Sequence, residues 1–250
     1  SGKAVFISYN GMRFDEEVMR RQFYWNLFDP YITNTNGNSR LDLYLKMYVV
    51  GYFYRDLFPI PEKNNQISLK LEHFAELFKM NTQNAHDALE DCEYLKELFN
   101  QIKSRLPNFY NEIITTTSKQ ELFDHLLANE VNYLSSYIPS NKTLRSMPFT
   151  ILAGVEAINQ TIIFNLNNDP KVYFDLTFQE LREVIENRSE SPFKTIGINR
   201  TIPSISAKTL KQDKILPNEN DLYLERAKQL RSNPDFTFKV NEIFADKEKP

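Results

Sequence analysis

Cysteine is almost missing from this chain: Cys92 stands alone, and only 6 glycines are spread over 250 residues. A single thiol cannot build an intrachain disulfide framework, so a reducing cytoplasm is the expected setting. So little glycine, beside 19 phenylalanines and 13 tyrosines, excludes low-complexity or disordered composition. No apolar run approaches the roughly 18 residues that suggest a membrane span. No basic segment leads into an apolar stretch at the start, as a secretory signal would. An excess of one charge is absent as well, since 30 basic and 33 acidic residues leave a net −3. A basic patch would advertise nucleic-acid binding. Its absence does not exclude such a partner, because enzymes that cut nucleic acid also need acidic metal ligands. No internal repeat is present.

What the chain does have is a large apolar content, 41% with 13% aromatic, enough for one large domain or two ordinary ones. It starts without a Met and almost directly on a strand, as a fragment or processed chain would. Ala4–Ile7 is a short β-branched run and reads as a buried strand. The polar stretch 10–15 follows, then an aromatic-rich helix from Glu16 to about Phe28 that Asp29-Pro30 stops. Leu41–Tyr54 is apolar almost all round and predicts a buried helix. Helical spacing of Leu71, Phe74 and Phe78 predicts another, and a further helix carries Asp91 onward to Pro107. After Pro107 come a helix at 119–129, strand-like runs at 149–153, 161–166, 172–174 and 195–198, and helices near 178–187, 221–231 and 236–245. This is α/β organisation. The natural boundary is Pro107, giving domains 1–107 and 108–250, the second small and β-rich.

The chemistry-bearing stretch is Asn84-Ala-His-Asp-Ala-Leu-Glu-Asp91. On a regular helix five residues subtend about 500°, so His86 and Asp91 would not share a face. With Asp87 as N-cap and Glu90 at the third helical position, His86 sits outside the helix and Asp91 in its first turn. The two can then converge on one cleft. Histidine is the usual base for activating water near neutral pH, and a carboxylate beside it suits Mg²⁺. Asp15 follows a strand and a short loop, where acids of α/β sites sit. Arg13 and Lys70 are candidate phosphate contacts. Each also has an ordinary use: His86 as a loop residue, Asp91 as a partner of the helix dipole, Asp15 as an N-cap, Arg13 and Lys70 as solvated charges. His73 and His125 read as structural histidines. Phe23, Tyr24, Trp25, Phe28 and Tyr31 could stack bases, but core packing is the expected role of most of them.

Taken together, Asn10-x-x-x-Phe14-Asp15 followed by His86-x4-Asp91 resembles the second and third motifs of the DEDD exonucleases of the histidine subclass. Phe28-Asp-Pro-Tyr31, Asn38-Ser-Arg-Leu-Asp42, Leu71-Glu-His73, Asp175–Arg182 and Gly197–Pro203 are similar to segments of that family in the same order. The resemblance implies an RNase-H-like exonuclease domain, truncated at its N-terminus, followed by a small SH3-like β-rich domain with closing helices. It implies 3′-to-5′ hydrolysis of single-stranded DNA to nucleoside monophosphates by a monomer, with two Mg²⁺ ions that Mn²⁺ can replace. Single-stranded DNA-binding protein is an implied partner. Asp15 and Asp91 become metal ligands, His86 the general base, and Asn10, Arg13 and Lys70 DNA contacts. The family's first motif, Asp-x-Glu on an opening strand, has no counterpart near the start, and its C-terminal helical domain has none after residue 244. The competing expectation is therefore a non-catalytic module binding single-stranded DNA or a partner. A nuclease acting on RNA is a third reading.

Overall fold

The computed structural model describes residues 3–13, 15–82, 88–155, 159–187 and 189–246. The chain groups into two compact units. One comprises Ser1–Glu121, Ser135–Ser146 and Arg200–Ile205; the other comprises Leu122–Leu134, Met147–Asn199 and Ser206–Pro250.

The first unit begins as a β-α-β arrangement. Strand β1 (Val5–Ser8) runs parallel to β2 (Ser39–Asp42), with Ile7 opposite Leu41 and Ser8 opposite Asp42. Helix α1 (Asp15–Trp25) lies between them in sequence, its first turn holding Asp15, Glu16 and Glu17, which suits the positive end of the helix dipole. Arg40 on β2 pairs with the buried Glu16 carboxylate. The chain passes from β2 directly into α2 (Leu43–Phe53), whose N-cap Asp42 accepts from the Tyr44 amide. As its all-round apolar sequence predicts, α2 is buried, with Leu43, Met47, Val49 and Val50 inaccessible to solvent. A two-residue hairpin, β3 (Glu62–Lys63) with β4 (Gln66–Ile67), leads to α3 (Leu71–Leu77). Helix α4 (Ala88–Arg105) follows. Pro107 does not simply end a helix. It occupies the first position of α5 (Pro107–Ile114), where its missing N–H costs nothing. Phe109 of α5 meets Tyr54 at 5.3 Å between ring centres.

Further along the chain, α6 (Lys119–Ala128) precedes β5 (Asn132–Ile138), β6 (Thr143–Val155) and β7 (Gln160–Asn165). Helices α7 (Lys171–Phe174) and α8 (Phe178–Glu186) come before β8 (Phe193–Gly197) and β9 (Ser204–Ser206). Helices α9 (Ala207–Gln212), α10 (Asn220–Arg231) and α11 (Pro234–Asp246) close the described chain. The five strands form one sheet in the order β8-β7-β6-β5-β9, with β6–β7 and β7–β8 antiparallel. Thr161 to Phe164 are all inaccessible, so β7 is covered on both faces. Rings of Phe164, Tyr173, Phe193 and Phe236 pack against one another at 5.3–6.1 Å. Val172–Phe174, strand-like in sequence, is a single helical turn. Pro170 fixes its start and Asp169 Oδ1 accepts from the Lys171 amide.

Candidate functional site

The cleft of the first unit is built from separate stretches of sequence. At the end of β1, Asn10 adopts the left-handed region with φ 62°, a conformation Asn tolerates well. That turns the chain sharply into the 3₁₀ turn Gly11–Arg13. The turn is held by a buried carboxylate: Asp42 Oδ1 accepts from the Asn10 amide at 2.8 Å and Oδ2 from the Met12 amide at 3.4 Å. Burial raises the pKa of Asp42, and the backbone amides it accepts from oppose that rise. A Cβ on Gly11 would come within 2.8 Å of Ser8 Cβ and 3.3 Å of Asp15 Oδ2. The site therefore requires glycine there, and the Asp15 carboxylate lies beside the turn. Asp15 itself is the exposed first residue of α1.

Around Asn10 opens a cleft of about 620 Å³, within the range of small-ligand sites. Tyr9 and Asn10 border it from the end of β1, and Tyr44 from α2. Lys63, Lys70 and His73 border it from the β3–β4 hairpin and α3, and Asp91 from the first turn of α4. Tyr137 and Lys142, from the β5–β6 hairpin, complete the wall. The Tyr9 hydroxyl donates to the Leu69 carbonyl, and burial drives its pKa well above the ordinary tyrosine value. Lys70 pairs with Glu72 at 3.1 Å and Lys63 with Glu76 at 2.7 Å. His73 Nδ1 lies 2.6 Å from Ser68 Oγ, so this histidine is satisfied by a neighbour, as a structural one should be.

The predicted site residues divide accordingly. Asn10, Lys70 and Asp91 come together on one cleft, although more than twenty residues separate each in sequence. Asp15 lies at the adjoining turn rather than among the residues lining the cleft. Arg13 closes that turn, but its side chain lies outside the described residues, as does the whole stretch 83–87 that contains His86. The expected core role of the α1 aromatics does not hold. Tyr24 and Trp25 of α1, and Phe28 and Tyr31 in the turns after it, are 52–69% exposed. They do not border the cleft either. Tyr44, Tyr137, Lys63 and Lys142 went unnoticed in the sequence. Tyr44 and Tyr48 had one legible signal, their four-residue spacing on a helix; the hairpin residues had none.

For a divalent metal, the described residues offer too few ligands. No group of three or more His, Cys, Asp or Glu side chains comes together among them, so Asp15 and Asp91 do not by themselves close a metal site.

Fold and cleft define a mixed α/β chain with an acid-bearing cleft in its first unit and a five-stranded sheet formed by strands after residue 131. Residues 117–246 match the family model of the exonuclease I SH3-like domain. The chain belongs to the exonuclease I family. Exodeoxyribonuclease I of Escherichia coli K12 is 27% identical over 261 residues, covering 98% of this chain and 55% of the relative. Among solved structures, the zinc-bound form of an E. coli ExoI–single-stranded DNA complex superposes with a TM-score of 0.70 at 27% identity, covering 96% of this chain and 54% of the other. An ExoI/SSB-Ct complex gives 0.70 at 25% identity, with the same coverages. The chain thus spans about half the length of the relatives it matches.

Proposed function

We propose that the complete protein is an exonuclease that degrades single-stranded DNA from the 3′ end to nucleoside 5′-monophosphates. The observation carrying this reading is the cleft that unites Asn10, Lys70 and Asp91, in a chain of the exonuclease I family. Solved relatives hold single-stranded DNA, and one of them zinc, which supports a divalent ion here. In this reading Asp15 and Asp91 would be ligands of Mg²⁺. The metal supplies charge stabilisation and an activated water. His86 would serve as the general base, Asn10 and Lys70 would contact the strand, and Arg13 would hold phosphate. An exonuclease domain at 1–107, an SH3-like domain from 108, a cytoplasmic setting and a partnership with the C-terminal segment of single-stranded DNA-binding protein belong to the same proposal.

A second reading is favoured by one observation, that no group of three or more His, Cys, Asp or Glu side chains able to hold a metal comes together among the described residues. On that reading the chain binds single strands without cutting them. The deciding experiment compares this chain with the protein extended to the length of its relatives, each given Mg²⁺ and a 5′-labelled single strand. Progressive shortening by the extended protein supports the exonuclease. Binding without shortening by both leaves the second reading.

A further inference from the structure

Beyond the residues that would cut a strand, the cleft has the makings of a device that grips a nucleobase, a role that rests on the exonuclease reading. Four tyrosines form a continuous run of rings through the first unit. Tyr9 meets Tyr44 edge-on at 5.4 Å, Tyr44 meets Tyr48 edge-on at 5.2 Å, and Tyr48 lies against Tyr137 at 6.0 Å with the planes tilted by 33°. Tyr9, Tyr44 and Tyr137 border the cleft, whereas Tyr48 backs them from α2. Contacts along the row hold each ring in place before any ligand arrives, so little side-chain entropy is lost on binding. Tyr137 is half-buried, which leaves part of its ring to the cleft. The same cleft is lined by Lys142, exposed at the hairpin and, among the described residues, without a carboxylate at ion-pairing distance. Lys63 and Lys70, by contrast, are already engaged by Glu76 and Glu72. An aromatic wall and a lysine without an ion pair among the described residues, in the cleft that Asp91 also lines, match what single-stranded nucleic acid offers: a base with a π-face and the phosphate next to it.

We infer that Tyr44 and Tyr137 stack a nucleobase of the bound strand while Lys142 holds an adjoining phosphate. Any base has a π-face, so the grip is indifferent to sequence. It acts on the base and the backbone through different residues.

That separation makes the test. Binding to the 250-residue chain is measured by fluorescence anisotropy in EDTA with labelled oligothymidylate and with an abasic strand of equal length. Replacing Tyr137 with leucine should weaken oligothymidylate binding about 5- to 150-fold and leave abasic binding unchanged. Tyr137→Phe should restore it, because the ring and not the hydroxyl is the gripping element. Lys142→Gln should weaken both strands alike and lower the salt slope by about one. Equal affinity of wild type and Tyr137→Leu for oligothymidylate overturns the base grip, and so does a Tyr137→Phe protein as weak as the leucine variant. Should Tyr137→Leu not fold, Tyr44→Phe and Tyr44→Leu provide the same comparison. If the wild-type chain binds neither strand, the grip fails, while the reading for the complete protein stands or falls with the strand-shortening assay on the extended protein. If it binds oligothymidylate but Tyr137→Leu has no effect, the grip alone fails.

Discussion

Lys46 is a cation on the wrong side of a buried helix, and its removal gives a quantitative test of how the first unit is held. It lies on α2 with 2% of its surface exposed, and its Nζ donates to the Ser204 carbonyl at 3.3 Å. Burial lowers its pKa from 10.5 to about 8, opposed by the nearby buried carboxylate of Glu112. At about 1.4 kcal/mol per tenfold change, a fall of this size corresponds to roughly 3 kcal/mol. The sign comes from the protons bound. Between about pH 8 and 10.5 the unfolded chain keeps the Lys46 proton and the folded chain has lost it, so stability rises with pH across that window. Below pH 8 the folded state carries the whole cost of the buried charge. Lys46→Met removes the titration. Urea unfolding of both proteins at several pH values should therefore show the wild type gaining about 3 kcal/mol on the variant from about pH 8 to 10.5. The comparison stays above pH 8 because the variant also takes away the cation facing Glu112, a change that is itself destabilising. Glu112→Gln should extend the window to lower pH, since the group that favours the charged lysine is gone. Parallel pH dependence in wild type and Lys46→Met would refute this account of the buried amine.

Other outcomes concern the site and the caps. Asp42→Ala leaves the amides of Asn10, Met12 and Tyr44 without their acceptor. It should cost about 2–4 kcal/mol in urea unfolding and loosen the turn beside Asp15. In the complete enzyme, His86→Ala should slow hydrolysis about 10²- to 10⁴-fold while leaving DNA affinity nearly intact; a collapse of affinity would make His86 structural. Asp91→Asn should abolish hydrolysis yet retain binding in EDTA, measured by single-turnover cleavage and anisotropy. In the second unit, Thr177→Ala breaks a reciprocal cap in which the Thr177 side chain accepts from the Glu180 amide and Glu180 accepts from the Thr177 amide. About 1 kcal/mol of stability should be lost.

Much of the helical framework was legible because its signals are local. The apolar surround of α2 and the Phe74–Phe78 spacing behind α3 each lie within a few turns of chain. Strands were harder. β5 carries no clean alternation, since Asn132 and Ser135 are buried polar residues within it. The aromatic run 23–31 looked like core because ring content alone does not say which faces become covered, and Tyr24, Trp25, Phe28 and Tyr31 stay exposed.

Sequence order and residue type determined the candidate acids. Asp15 behind a polar turn and Asp91 in the first turn of a helix are positions that local chemistry can define, because capping and turn preferences act over four or five residues. Which of them share a cleft is a different matter. Asn10, Lys70 and Asp91 are joined only by the packing of β1, α2, α3 and α4, and Tyr137 and Lys142 arrive from a hairpin more than forty residues further on. No local propensity encodes such a meeting. It is decided by where apolar faces are buried, so the tyrosine wall and the lysine of the same cleft belong to the tertiary structure alone.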